Sequence, residues 1–225
     1  MDSEVMDWDS VYKQEGGFEG PPPWNIGEPQ PELAALIRGG KITGDVLDAG
    51  CGHAELSLAL AATGTTVVGI DLSPTAIAAA AESARERGLD NATYVAADIT
   101  SFTGYDDRFD TIIDSTLFHS LPVERRDAYL QSIHRAAAPG AKLFVLVFAK
   151  GAFPPDVDTK PNEVTEDELR EAVSKYFVID DIQPAKIHAR KLEFSDLPQV
   201  EIPFDLDEKG RVKMPAFLLS AHKSS

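Results

Sequence analysis

The sequence predicts an α/β fold in which helices cover both faces of a doubly wound, mostly parallel β-sheet. Apolar, β-branched segments alternate with Ala-rich helical segments along the chain, as in a parallel sheet. Residues 142–148, KLFVLVF, are almost continuously apolar, which is typical of a strand covered on both faces. Residues 44–72 have the pattern strand, glycine-rich turn, helix, strand, which is the repeating unit of such sheets.

Composition limits the classes of partner. The 225 residues suffice for one domain with a sizeable core, and no apolar run approaches the roughly 18 residues of a membrane span. We expect no membrane partner. The single cysteine, Cys51, excludes an intrachain disulfide and fits a reducing cytoplasm. With 21 Lys and Arg against 37 Asp and Glu, the net charge of −16 argues against a nucleic-acid partner. Neither histidines nor carboxylates have metal-ligand spacing, so we expect no metal.

Residues 1–30 are predicted to form an N-terminal arm, and residues 31–225 a single domain. The beginning of the arm favours a short helix, and prolines hold the run at 21–27, PPPWNIG, in an extended form. The arm is either a surface linker whose aromatic side chains cover the core, or a lid whose Trp24 or Tyr12 covers a ligand.

The first elements of the domain follow from local signals. A helix is predicted at 31–38, where proline occupies the first position and two glycines follow the end. Residues 46–47 and 65–70 are β-prone, and 54–62 is rich in the helix formers Ala and Leu. The next helix begins after Ser73, an N-cap residue followed by proline, and stops at a glycine.

The second half continues the alternation of strands and helices. A helix is predicted at 122–138, with Val123 on its buried stripe, and a turn at Pro139-Gly140. Thr165 and Glu168 form a capping box that begins another helix. The remaining predicted elements are strands at 93–97, 109–113 and 142–148, a proline-bearing loop at 149–163, an extended segment at 176–190 and a last strand at 214–222.

The glycine-rich turn indicates a nucleotide site. Gly50 and Gly52 can adopt backbone angles closed to other residues and let a ligand approach the main chain. Asp71 ends the second strand, where βαβ nucleotide folds place a carboxylate on a ribose diol. The third glycine of a dinucleotide fingerprint is absent, and Asp48 would lie poorly against a pyrophosphate. A ligand with a ribose, an ammonium group and no phosphate fits better, and S-adenosylmethionine has these features.

These motifs resemble those of class I S-adenosylmethionine-dependent methyltransferases. The segment VLDAGCGHAELSLALAATGTTVVGIDLSPTAI is similar to their first two motifs and VAADIT to the third. FDTIIDSTLFHSL resembles the fourth strand with its active-site loop, and AAAPGAKLFVLVF the turn and fifth strand. The arm resembles the thiopurine and thiol methyltransferase branch, and the whole pattern is most similar to mycobacterial-type methyltransferases of quinones and hydroxyquinolones. One departure is Ala54, which replaces the third glycine of the family motif.

The resemblance implies a Rossmann-like sheet of seven strands, one of them antiparallel, and S-adenosylmethionine as the methyl donor. Asp71 would accept hydrogen bonds from the ribose hydroxyls; the alternative is an acidic residue that only stabilises a helix N-terminus. Asp98 would accept a hydrogen bond from the adenine amino group; the alternative is a turn residue. The implied donor site also includes Leu72 and Ile99 on the faces of the adenine, Gly50 and Gly52 at the methionine end, Asp48 at the ammonium group, Trp24 and Asp114.

Methyl transfer mainly requires alignment and exclusion of water, and a base helps only when the acceptor is protonated at ambient pH. His119, in the loop after the fourth strand, is the candidate base, and Tyr12 is a second catalytic candidate. The alternative for His119 is a structural histidine. Tyr12 and Phe118 are predicted to form walls around an aromatic acceptor, and packing in the core is the alternative. Ser115 is predicted to make a polar contact with the ligand. His53 either meets the carboxylate of the donor or caps the helix, and the cap is the favoured interpretation.

The sequence therefore predicts transfer of a methyl group to O or N of a small aromatic heterocycle of quinolone, quinone or phenol type. The alternative that keeps the same donor is a thiol methyltransferase, which transfers the methyl group to sulfur. An NAD-linked oxidoreductase and a non-catalytic sensor of the donor are alternatives from other classes. The sequence does not distinguish a monomer from a homodimer.

Overall fold

The computed structural model describes residues 7–13, 15, 21–153, 161–190 and 204–225. The beginning of the predicted arm and part of the predicted loop at 149–163 lie outside the described residues.

A seven-stranded sheet forms the centre of the fold, with strand order β3-β2-β1-β4-β5-β7-β6. Strands β1 to β5 run parallel, and β7 pairs antiparallel with both β5 and β6. The predicted doubly wound sheet with one antiparallel strand is confirmed. The strands are β1 (Val46–Ala49), β2 (Val67–Asp71), β3 (Ala92–Ala96), β4 (Phe109–Ser115), β5 (Ala137–Phe148), β6 (Val178–Ala189) and β7 (Val212–His222).

Helices pack on both faces of this sheet, and apolar side chains fill the space between the layers. One core lies under the helices at 126–136 and 166–173 and contains Tyr129 and Leu143. The other lies under the helices at 31–38 and 55–62 and contains Leu33 and Leu56. None of the helices that the structure describes is both long and apolar enough to span a lipid bilayer. The helices are α1 (Trp8–Tyr12), α2 (Pro31–Arg38), α3 (Glu55–Ala62), α4 (Pro74–Glu86), α5 (Arg126–Ala136) and α6 (Glu166–Val173).

The helix starts agree with the local signals. Ser73 accepts the N–H of Ala76 and caps α4. Thr165 and Glu168 make both hydrogen bonds of the predicted capping box at the start of α6.

The region around α5 differs from the prediction in two ways. The helix begins only at Arg126, after a short 3-10 helix at Val123–Arg125, so Val123 is 60% exposed and does not join a buried stripe. The Pro139-Gly140 pair does not separate two elements: it lies inside β5, where the pairing with β4 shifts register between Phe109 and Thr111. Because neighbouring strands hold the chain on both sides of it, the pair forms an irregularity within the strand.

The arm is attached to the far edge of the sheet. The Gln30 side chain donates to the carbonyl of His188 (2.9 Å) and accepts its N–H (2.8 Å), so it pairs with β6 as another strand would. The Arg190 N–H donates to the carbonyl of Pro23 (2.8 Å). Arg211 Nη1 lies 2.6 Å from Glu28 Oε1. These contacts fix residues 21–30 beside the ligand-side end of β6.

Candidate active site

The candidate site lies at the carboxyl ends of β1, β2 and β4. In the sheet register Ala49 is opposite both Ile70 and Asp114, so the segments that follow these strands begin side by side. Ligands of open parallel α/β sheets bind at this edge, where neighbouring connections diverge to opposite faces. The fold thereby brings together the glycine turn, Asp71 and the loop after β4, which are far apart in the sequence.

The glycine turn has an unusual backbone. Gly50 and Gly52 have φ values of +69° and +52°, and Ala54 has φ +63°. A left-handed conformation costs roughly 1–2 kcal/mol at a residue with a Cβ. Ala54 is 1% exposed and packs with Leu58 and Ala80, so its methyl group contributes to the core that holds this backbone in place. Ala54, the N-cap residue, has no side chain that could accept an N–H of the first turn of α3.

Asp71 connects the end of β2 to the glycine turn. Its Oδ2 accepts the N–H of Gly52 (2.8 Å) and its Oδ1 that of Ser73 (2.9 Å). Burial raises the pKa of Asp71, and the hydrogen bonds from these N–H groups oppose the rise. Since a carboxylate oxygen can accept two hydrogen bonds, each oxygen can still accept one hydroxyl. This arrangement suits a bidentate contact with a diol.

A second carboxyl group lies beneath the turn. Asp48 is 1% exposed and accepts the hydroxyl of Ser57 at 2.6 Å. Burial raises the pKa of Asp48 to about 6. A nearby positive charge would favour its ionised form, so the pair of Asp48 and Asp71 favours a cationic ligand.

The predicted adenine end follows β3. Asp98 Oδ1 accepts the N–H and the hydroxyl of Thr100 (2.9 and 2.7 Å), and Arg125 Nη2 donates to Oδ2 at 2.5 Å. Asp98 thus makes the hydrogen bonds of a turn residue and also forms an ion pair with Arg125. Leu72 is 48% exposed, which is high for a large apolar side chain, whereas Ile99 is buried. An apolar ring would cover the exposed face of Leu72.

The arm contacts the glycine turn directly. A Cβ built on Gly52 would lie 2.5 Å from the Tyr12 hydroxyl, so only glycine leaves room for it. The Tyr12 ring stands perpendicular to that of His53 with centroids 4.9 Å apart, and Trp8 packs edge-on against Trp24 at 5.9 Å. The structure therefore places both predicted lid residues, Tyr12 and Trp24, in the part of the arm that meets the candidate donor site.

A carboxylate on α1 fixes the arm to α4. Asp9 Oδ1 accepts the hydroxyl of Ser73 (2.7 Å) and the N–H of Thr75 (3.1 Å). Lys13 forms an ion pair with the other oxygen at 2.7 Å. The negative charge of Asp9 stabilises the N-terminus of α4, where unpaired N–H groups concentrate.

The environments of Tyr12 and His53 limit the chemistry of both side chains. Burial, followed by the charge of Asp71, raises the pKa of Tyr12 far above its ordinary value. Its phenol therefore stays protonated at neutral pH, and it can donate a hydrogen bond but not act as a base. The prediction makes His53 a cap of α3, but the side chain makes no such contact. Its Nδ1 lies instead 2.9 Å from the Asn25 amide nitrogen of the arm. That prediction was wrong because the arm provides a partner that a local pattern does not contain.

Asp114 holds the loop after β4. It is fully buried and accepts the Tyr129 hydroxyl (2.8 Å) and the N–H groups of Leu117 (2.8 Å) and Phe118 (3.2 Å). Burial raises the pKa of Asp114 to about 7. These three contacts give Asp114 a loop-fixing role, and the predicted contact with the donor stays a prediction. Ser115, the next residue, ends β4 and is half-buried.

Phe118 also differs from its predicted role as a wall of the acceptor site. It is 1% exposed and lies 6.4 Å from the Tyr129 ring, with the Arg126 guanidinium 4.6 Å from its own ring centre. Phe118 therefore packs in the core, which was the alternative to the wall, because almost none of its surface is exposed. Thr116, two residues earlier, has φ +75°, which is rare for a β-branched residue and marks local strain at the site.

His119 is held by β5. Its ring is 3% exposed, lies 4.3 Å from the Phe148 ring, and accepts the Phe148 N–H on Nδ1 at 3.2 Å. Since Nδ1 accepts a hydrogen bond, we assign the proton of the neutral ring to Nε2. Burial lowers the pKa of His119 to about 3. In this state Nε2 carries the proton and Nδ1 accepts the Phe148 N–H, so neither ring nitrogen is free to take a proton and the geometry argues against a base.

Three partners of the site have no local signal in the sequence: Arg125, Tyr129 and Asp9. The first two lie in a segment with an ordinary helical pattern, where charged and aromatic residues are common. Asp9 lies in a short acidic segment. Each acquires its role only from contact with a distant element.

The chemistry of these side chains fits S-adenosylmethionine. Carboxyl groups lie at the ends of β1 and β2 and after β3, which suits an ammonium group, a ribose diol and an adenine amino group. The two glycines let a ligand approach the main chain of the turn closely, and the buried carboxyls favour a cation over a pyrophosphate.

Comparison with known proteins agrees with this chemistry. Residues 46–140 match a family described as a methyltransferase domain. Over 203 residues the chain is 58% identical to a 2-heptyl-1-hydroxyquinolin-4(1H)-one methyltransferase of Mycobacteroides abscessus, a match that spans 90% of this chain and 89% of that protein. A probable thiol methyltransferase 2 of Arabidopsis thaliana is 31% identical over 141 residues, which are 59% of this chain and 62% of that protein.

A solved structure, from work on the conversion of a disulfide bond into a thioacetal group during echinomycin biosynthesis, superposes with a TM-score of 0.82. It is 33% identical in sequence, and the match covers 98% of this chain and 92% of that chain. The predictions of an enzyme and of its methyl donor are confirmed. The chain belongs to the class I S-adenosylmethionine-dependent methyltransferases, and S-adenosylmethionine is its donor.

Proposed function

We propose that this methyltransferase transfers the methyl group to O or N of a small aromatic heterocycle of quinolone, quinone or phenol type. The observation that carries the proposal is the 58% identity, over 90% of the chain, to a methyltransferase of 2-heptyl-1-hydroxyquinolin-4(1H)-one. We further propose that it works in a reducing cytoplasm, which its single cysteine favours.

The donor is proposed to bind along the ends of β1, β2 and β3. Asp71 accepts the ribose hydroxyls, Asp98 the adenine amino group, and Asp48 the ammonium group. Gly50 and Gly52 give the methionine end close access to the main chain. The distances and burial of these side chains support the assignment, because each carboxyl group is held in place by protein donors.

The arm, residues 1–30, is proposed to act as the lid. Its Tyr12 lies on the glycine turn, Trp24 packs edge-on against Trp8, and Asp9 fixes α1 to the start of α4. S-Adenosylmethionine supplies a methyl group already activated by its sulfonium. The residues of the chain then have to align the acceptor and exclude water. Aromatic side chains of the arm suit both tasks, because they cover a flat heterocycle without offering a competing nucleophile.

His119 is proposed to act as a hydrogen-bond donor through Nε2, with Nδ1 fixed by the Phe148 N–H. A group of the N–OH type is more acidic than an alcohol, so it can reach the site already ionised and needs no base. A neutral Nε2–H would orient the oxygen of such an acceptor. The lowered pKa of about 3 supports this role, because His119 remains neutral at any working pH.

Two substitutions separate orientation from structure at His119. In His119→Asn the amide oxygen can still accept the Phe148 N–H, but no group replaces Nε2. We expect turnover to fall at least about tenfold, the scale of one lost hydrogen bond to an ionised oxygen, with the melting temperature little changed. In His119→Ala we expect both the turnover and the melting temperature to fall. Wild-type turnover by the stable His119→Asn variant would restrict His119 to a structural role.

The acceptor class is tested with donor labelled at its methyl group. We expect labelled product from 1-hydroxyquinolin-4-ones and related phenols, at rates well above those with simple thiols. Labelling of thiols alone would overturn the proposal in favour of an S-methyltransferase. That second candidate is favoured by the 31% identity to a probable thiol methyltransferase.

A further inference from the structure

We infer that Arg125 is a positioning residue of the donor site, which holds Asp98 in place for the adenine amino group and thereby sets the preference for adenine over hypoxanthine. The inference rests on the role of Asp98 under Proposed function. It concerns a residue of the α5 segment, which lies outside the strand ends and turns from which that role was argued.

The geometry links two distant segments. Arg125 ends the short helix Val123–Arg125, and its Nη2 donates to Asp98 Oδ2 (2.5 Å) and to the Thr100 hydroxyl (2.7 Å). The carbonyl of Thr100 in turn accepts the Ser132 hydroxyl of α5 at 2.7 Å. The segment after β3 is therefore held from both the beginning and the middle of α5.

These contacts leave one place for a further donor on the Asp98 carboxylate. Oδ1 already accepts both hydrogen bonds that it can hold, from the N–H and the hydroxyl of Thr100. Oδ2 accepts one, from Arg125, and has one lone pair left. The carboxylate cannot rotate without breaking these bonds, so that lone pair has a fixed direction. A fixed acceptor suits an amino group and repels the oxo group that hypoxanthine has at the same position.

Stability alone does not explain the pair. The side chains of Arg125 and Asp98 are 36% and 34% exposed, and ion pairs with this exposure contribute little to folding. Burial by itself would raise the pKa of Asp98, but the hydrogen bonds from Thr100 and Arg125 outweigh it and the pKa is lowered. Arg125 thus helps to keep Asp98 ionised, in the form that only accepts hydrogen bonds.

The test compares two ligands in calorimetric titrations: S-adenosylhomocysteine and S-inosylhomocysteine, which has an oxo group in place of the amino group. In Arg125→Met we expect the Kd of the adenine ligand to rise by about fivefold or more, as a charge-assisted contact is weakened. We expect the Kd of the hypoxanthine ligand to change by less than about twofold. Arg125→Lys keeps the charge and should recover part of the preference.

Arg85→Met is the matched control, because it removes a surface ion pair with Glu82 on α4 and should change neither Kd. Equal changes of both Kd values in Arg125→Met, or no change in either, would overturn the inference. Asp98→Ala distinguishes the two levels of the argument. If it leaves the Kd of the adenine ligand unchanged, the proposed role of Asp98 fails. If it weakens binding while Arg125→Met does not, the inference about Arg125 alone fails.

Discussion

Replacing Asp71 with alanine is expected to weaken the binding of S-adenosylmethionine at least about tenfold, the scale of about 1.4 kcal/mol for a lost charge-assisted contact. Two effects add in the same direction. The ribose hydroxyls lose their acceptor, and the N–H groups of Gly52 and Ser73 lose the partner that fixes the turn. Calorimetric titration with the donor, or with S-adenosylhomocysteine, measures the change.

Asp71→Asn is the matched variant for this experiment. It has the same shape, keeps one acceptor oxygen for an N–H of the turn, and loses the negative charge and one of the two acceptors. We expect its affinity to lie between those of the wild type and Asp71→Ala. An alanine variant that stays folded and binds the donor with the wild-type Kd would contradict the assignment of Asp71 to the ribose.

Replacing Asp114 with alanine is expected to lower the free energy of unfolding by about 3 kcal/mol or more. Three buried donors, the Tyr129 hydroxyl and the N–H groups of Leu117 and Phe118, would lose their acceptor. Each unsatisfied buried group costs about 1–3 kcal/mol. Urea denaturation measures the change, and a loss below about 1 kcal/mol would mean that the loop finds other partners.

Asp114 also predicts a dependence of stability on pH. Its pKa is raised to about 7 in the folded protein, against an ordinary value near 3.9 in the unfolded chain. Between these two values the folded state binds more protons than the unfolded state. The contribution of this carboxyl to the free energy of unfolding therefore falls as the pH rises from about 4 to about 7.

Asp114→Asn isolates this contribution, because the amide cannot ionise and its oxygen can still accept an N–H. Asp48, whose pKa is raised to about 6, gives a dependence of the same sign that remains in the variant. We expect the free energy of unfolding between pH 4.5 and pH 7.5 to fall less steeply in Asp114→Asn than in the wild type. Identical slopes would show that Asp114 does not hold a proton in the folded protein.

The sequence alone determined the alternation of strands and helices, the starts of α2, α4 and α6, and the donor. These depend on signals that act within a few residues: a proline after an N-cap, a capping box, a pair of glycines before a helix, or an aspartate at a strand end. Such signals keep their meaning in any fold, because sterics and backbone hydrogen bonding enforce them locally. The departure at Ala54 also followed this rule, since the turn keeps its left-handed backbone without the third glycine.

Tertiary structure decided which of these side chains are free to act. Asp114 lies near the end of β4, and Phe118 and His119 follow that strand, yet each is buried by a partner from another element. Likewise, only the folded chain brings Arg125 to Asp98 and Tyr12 to the glycine turn. The physical reason is the same throughout: a polar or aromatic side chain takes its role from whichever distant group satisfies its hydrogen bonds or covers its surface, and a local pattern does not contain that group.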